Sequence, residues 1–277
     1  MMGAHLDQDP KWFDLGEQAI ARTLELDPVQ CDALCARSMI VWSPSRKFQN
    51  RAALRALNAA LKIDPNRQYA RHQRAPVLWH LGFLDAAARD AEETTAGIPY
   101  VHLALVSLQR DEFEKAVDYH ERALRMDSNH VLSYAHQPLS LLWAGRTAEA
   151  RDAVEQARLR FPNESFVTGM DAILAALDAD FTRAESLAGE AGRSVRSLTH
   201  THHTWHFCAA AYAISGRADK ALAELHRCSE FGLPNYRFFQ IDPNLRPLHE
   251  NDGFRELMSS LRREHDSMRQ EFGLSGA

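Results

Sequence analysis

The sequence predicts an all-α protein: a right-handed superhelix, or solenoid, of antiparallel helix pairs with a C-terminal capping helix. Three observations carry that reading. Apolar residues recur at helical spacing, and the alternation of β-branched residues that marks strands is missing. The pattern repeats, with 34 residues from Pro65 to Pro99 and 34 again from Ser128 to Pro162. Gly82, Gly145 and Gly216 each stand where a first helix turns into a second. One such hairpin cannot bury its apolar face alone, so neighbours must stack.

The elements follow in order. Pro10 to Leu26 reads as the second helix of a repeat and stops at Asp27-Pro28, since proline cannot continue the helical hydrogen bonding. Its partner helix is missing from the nine residues before it, so the array is expected to start in mid-repeat. That points either to a longer parent chain or to an end covered by something else. Val29 to Trp42 is a first helix, followed by the irregular Ser43 to Lys47 and by Phe48 to Ile63. Arg67 to Leu81 pairs with Leu84 to Thr95, closed by Gly97-Ile98-Pro99. Tyr100 to Gln109 pairs with Glu112 to Met126, a short repeat in which Pro99 to Ser128 is only 29 residues. The clearest copy runs from Val131 to Pro162, two amphipathic helices joined at Gly145. Glu164 to Ala179 and Phe181 to Gly189 follow, then a polar linker, Ala191 to Ser197. Leu198 to Ser215 and Ala218 to Phe231 form the last hairpin, and Gly232 to Pro247 reads as a loop. Phe254, Leu257, Met258 and Leu261 share one face of a final helix ending at Phe272, as a solenoid cap should. Residues 1–231 are thus the array, and 232–277 a loop and cap in the same domain.

Small residues mark the packing. With Pro162 as position 32, position 20 is Ala53, Ala87, Ala116, Ala150, Ala184 and Ala221. A small side chain there lets two helices approach within ~8–10 Å.

Composition narrows function. Lys and Arg number 32 against 37 Asp and Glu, a net charge of −5 without the basic footprint of a nucleic-acid binder. No apolar run approaches the ~18 residues of a membrane span, and no signal peptide leads the chain, so a cytoplasmic protein is expected. Cys31, Cys35, Cys208 and Cys228 read as reduced, structural residues, because no second pair completes a zinc pattern. No nucleophile–base–orienter set is supported by spacing, so catalysis is not expected.

Period, Gly turn, small Ala and terminal Pro together resemble the tetratricopeptide repeat (TPR), from about Pro10 to Phe231. The tail is similar to a bacterial TPR group whose array follows a serine/threonine kinase or adenylate-cyclase domain. His202-His203, the stretches GLPNY and IDPNLRPL, and the final DGFRELM helix carry that likeness. It implies a bacterial signalling module that binds other proteins. The chain departs from fused members in having no Gly-rich phosphate loop, HRD or DFG.

The resemblance also implies a concave groove lined by first-helix positions that share one face. Carried onto this sequence, the binding residues are Trp42, Tyr69, His72, Trp79, Leu132, Leu139, Phe166, Ile173, His203 and His206. The groove reads apolar and aromatic, without the basic clamp for a peptide carboxylate, which suits a peptide or partner protein with apolar anchors. The competing reading is that these side chains are filled from within, by the next repeat or by the C-terminal segment folding back. His200, His202, His203 and His206 cluster, and His202 with His206 has the i, i+4 spacing of a ligand pair. Further ligands are not evident, so no metal and no cofactor are expected. The alternative function is a small-molecule or metal-responsive sensor using the groove and these histidines. Pro76 and Pro138 lie inside first helices, where they free the carbonyls of His72 and Tyr134 and could kink the wall. The half-repeat at the start makes homo-oligomerisation through that end an expectation.

Overall fold

In a computed structural model the chain is described over residues 10–95, 98–194 and 200–274. Gly97, the last three residues of the expected linker (195–197) and Leu198 lie outside these residues. The described residues form helices α1 (Pro10–Leu26), α2 (Cys31–Val41), α3 (Asn50–Ile63), α4 (Gln68–His80), α5 (Leu84–Glu93) and α6 (Tyr100–Gln109). They continue as α7 (Phe113–Met126), α8 (Val131–Trp143), α9 (Thr147–Arg160), α10 (Ser165–Leu177) and α11 (Phe181–Arg193). The last are α12 (Thr201–Ile214), α13 (Ala218–Glu230), the short α14 (Tyr236–Ile241) and α15 (Asp252–Phe272). No strand occurs among the described residues.

Consecutive helices pack as hairpins, and each hairpin stacks on the next. The alanines at position 20 are all fully buried, as close helix approach requires. Gly82, Gly145 and Gly216 have positive φ, the left-handed geometry that lets each first helix reverse into its partner. Both α4 and α8 run unbroken through their internal prolines. Asp90 of α5, buried, takes a two-pronged contact from Arg74 of α4 (2.6 and 2.8 Å), and Arg74 also donates to Asn58 of α3. Three helices of adjacent repeats are fixed by that one guanidinium.

Two expectations are corrected. The linker begins later than expected, because α11 continues through Gly192 to Arg193, burying Ala188 and Ala191 in the helix seam. The expected loop at 232–247 is ordered: it contains α14 and a 3₁₀ turn, Pro243–Leu248. The insertion at Ser43 to Lys47 also holds a 3₁₀ turn, Pro44–Arg46.

The array closes on itself. Lys47 and Phe48 adopt the left-handed conformation (φ 52° and 49°), which costs a residue with a Cβ ~1–2 kcal/mol. That turn sends the Phe48 ring, buried, against His200 and His202 of the sixth pair (centroids 4.5 and 4.9 Å). Gly232, at φ 103°, passes directly over Phe48; a Cβ on Gly232 would lie 2.3 Å from that of Phe48. The Gly232 carbonyl accepts from Asn50 Nδ2 at 3.1 Å. Beyond it, Glu271 of α15 pairs with Arg51 and Arg55 of α3. The first complete hairpin and the C-terminal helix therefore meet.

Candidate functional site: the concave face and its cover

The first helices α2, α4, α6, α8, α10 and α12 stand side by side and form the inner wall. Their closest approach is between α10 and α12, where Gly169 admits the Phe207 side chain; a Cβ there would sit 3.1 Å from Phe207 Cβ. The wall is not empty. Residues 233–248 turn back across it, with Leu233, Phe238, Phe239, Leu245 and Leu248 buried.

Polar contacts hold this segment. Asn235, buried, donates from Nδ2 to the Trp79 carbonyl (2.6 Å) and to Gln109 Oε1 (3.3 Å), and its Oδ1 accepts from the Phe238 amide. Asp242 Oδ1 accepts from the Asn244 amide (2.8 Å) and caps the 3₁₀ turn. Asp242 Oδ2 lies 2.8 Å from His206 Nε2, and both side chains are buried. The two atoms do not complete an aligned hydrogen bond, and neither has another hydrogen-bond partner among the described residues. The Phe238 ring meets Trp79, Trp143 and His206 at 5.5, 5.7 and 4.6 Å.

The expected binding residues fall into two groups. Trp79, Leu139, Phe166, Ile173, His203 and His206 are buried, covered by the returning segment and by neighbouring helices. Trp42, His72 and Leu132 are partly exposed, and Tyr69 is 43% exposed with its hydroxyl 3.1 Å from Met39 Sδ. The accessible group lies toward the N-terminal ends of α4 and α8, together with Trp42 at the end of α2.

The histidines divide differently from their sequence spacing. His206 turns to Asp242, whereas His202 joins His200, His203 and, from α4, His80. One ring nitrogen from each of these four lies within 4.8 Å of the others. His80 Nε2 and His202 Nε2 are 3.0 Å apart. Burial, then the neighbouring imidazoles, hold His80, His202 and His203 well below the ordinary histidine range, and burial pushes His200 down to about 4. His80 was missed from sequence because it stands 122 residues from His202. Asn235, Phe238 and Asp242 were missed because the segment that carries them read as a loop.

The cysteines are free thiols; burial raises Cys35 to about 11 and Cys208 and Cys228 higher still, so none of these three is a ready nucleophile.

No protein-family model and no curated protein sequence matches the chain. Solved structures are similar in fold. A chain of the APC/C hetero-tetramer Cut9–Hcn1 matches with a TM-score of 0.54 at 14% identity, over 90% of this chain and 48% of that one. This chain therefore spans about half the length of that one. Yeast Tom70 is similar over 98% of this chain and 57% of its own (TM-score 0.49, 11% identity). A tetratricopeptide repeat protein from Parabacteroides merdae is similar over 86% and 93% (TM-score 0.44, 14% identity). The stacked antiparallel pairs, glycine turns and buried position-20 alanines define a helical-repeat protein. Within that class the chain has the tetratricopeptide-repeat fold.

Proposed function

We propose that the chain is a protein-interaction module that takes a peptide or partner protein at the uncovered part of its inner wall. The observation that supports this most is Tyr69, an aromatic side chain 43% exposed on α4, with half-buried His72 on the same helix and half-buried Leu132 at the corresponding end of α8. Tyrosine anchors contacts at low entropic cost, and a few such residues dominate interface energy. The deep apolar positions are already occupied by residues 233–248, so a partner engages the rim rather than the full groove. The reading extends to a cytoplasmic regulatory adaptor in bacterial signalling, which the identity of the partner tests. The alternative, a ligand-responsive module, draws support from the converging imidazoles on the same wall.

The experiment is capture from native lysate by wild type and by Tyr69→Asp, Leu132→Asp, after matching their helical circular dichroism. Both positions are accessible, so the variant should fold. Losing an anchor worth ~2 kcal/mol should reduce the captured partner more than tenfold. Equal capture by both chains would move the binding face elsewhere.

A further inference from the structure

We propose that His80, His200, His202 and His203 form a four-imidazole site for a single divalent transition-metal ion of the zinc class. The inference does not depend on the docking face proposed above. It begins with two hydrogen bonds. His80 Nδ1 lies 2.6 Å from the Pro76 carbonyl, and His202 Nδ1 lies 2.7 Å from the Phe231 carbonyl. A carbonyl only accepts, so both Nδ1 atoms carry hydrogen. Each neutral ring then presents a bare lone pair at Nε2.

Those two Nε2 atoms face each other at 3.0 Å in the interior. Two lone pairs at that distance repel, and no carboxylate belongs to the cluster. A proton on one ring would only place an imidazolium among the other rings with no carboxylate in the cluster to balance it. A cation that accepts both lone pairs resolves the contact. The carbonyl bonds on the far nitrogens then play the part that outer hydrogen bonds play for ligating histidines, fixing tautomer and ring direction.

His200 and His203 complete the set. Bonds of ~2.0–2.1 Å in tetrahedral array place ligand nitrogens about 3.3 Å apart. The His80–His202 edge is already near that length, and the widest separation in the cluster is 4.8 Å. His200 is half-buried on the segment leading into α12 and supplies the fourth nitrogen. Four nitrogen donors suit zinc-class ions and not magnesium or calcium, which require oxygen. Trp42, Phe48 and Trp79 pack against the cluster, with Phe48–His200 at 4.5 Å and Trp42–His200 and Trp79–His80 at 5.0 Å. The ion would join the second complete hairpin to the sixth, across the seam that closes the array.

The test uses the full chain, stripped with a chelator and titrated with Co²⁺, followed by visible absorption and thermal melting. Wild type should bind one equivalent, show the bands of tetrahedral nitrogen-bound cobalt, lose them to Zn²⁺ but not Mg²⁺, and melt higher. His202→Gln and His200→Asn should weaken cobalt on the order of a hundredfold, at least what outer-shell changes alone cost. His120→Leu, buried outside the cluster, should bind as wild type. If His202→Gln does not fold, His200→Asn decides alone, since its site is half-buried. A folded wild-type chain with no cobalt bands and no zinc-induced rise in melting, or variants that bind as wild type, would overturn the proposal.

Discussion

Asp242→Ala should cost the fold about 1–3 kcal/mol, the usual consequence of leaving a buried polar partner unsatisfied. Two contacts go together: the 2.8 Å approach to His206 and the cap on the Asn244 amide. Residues 233–248 should lift from the inner wall as a result, since Asn235 remains their main other polar tether. Trp79 and Trp143, which pack on Phe238, would then meet water. The check is urea denaturation followed by tryptophan emission, with dye binding to report exposed apolar surface. Asp242→Asn is the companion variant, because its amide oxygen keeps the cap. It should lose less than half as much, and equal losses would place the whole effect in the contact with His206.

His120→Leu should act in the opposite direction. His120 is fully buried on α7, and neither ring nitrogen has a hydrogen-bond partner among the described residues. A buried polar atom left unsatisfied costs ~1–3 kcal/mol, so a leucine of similar volume should stabilise by about that much at neutral pH. Acid should widen the gap. Burial, with His136 and His130 nearby, holds His120 well below its ordinary value, so the folded chain leaves it neutral. The unfolded chain protonates it below pH ~6.5. Between those values the unfolded state binds the extra proton, and stability falls as pH falls, by ~1.4 kcal/mol per unit. His102, pushed down to about 3 by burial and by His72, adds a slope of the same sign. At pH 5 the leucine variant should therefore exceed wild type by ~2 kcal/mol more than at pH 7.5. Denaturation midpoints at the two pH values test this, and parallel pH curves for the two chains would defeat it.

Much of the fold was legible because TPR packing writes itself locally. Gly145 needs a left-handed turn, Ala150 needs close approach, and Asp64-Pro65 stops a helix, each a signal read within its own hairpin. The helix at 236–241 escaped because six residues are too few to show a period, and flanking Pro234 and Pro243 read as turn chemistry. The inner wall was identified by register, but its occupancy was not, since what covers Trp79 is Asn235, 156 residues later. The histidines show the same limit. The spacing of His202 and His206 suggested partners, yet Asp242 draws one and His80 meets the other. Local spacing places a side chain on a helix face; only the closed array decides which distant residue it faces.

That closure changes how the molecule should respond to force. A linear stack of repeats behaves as a soft spring whose units yield one after another, because each depends only on its neighbours. Here Asn50 is tied to Gly232 across 182 residues, and Arg51 to Glu271 across 220. Tension applied at the two termini reaches this clasp before it reaches the middle repeats. In an optical trap the chain should hold its length to a threshold and then give way in one large step. A staircase of small, equal steps from low force would mean that the clasp bears no load.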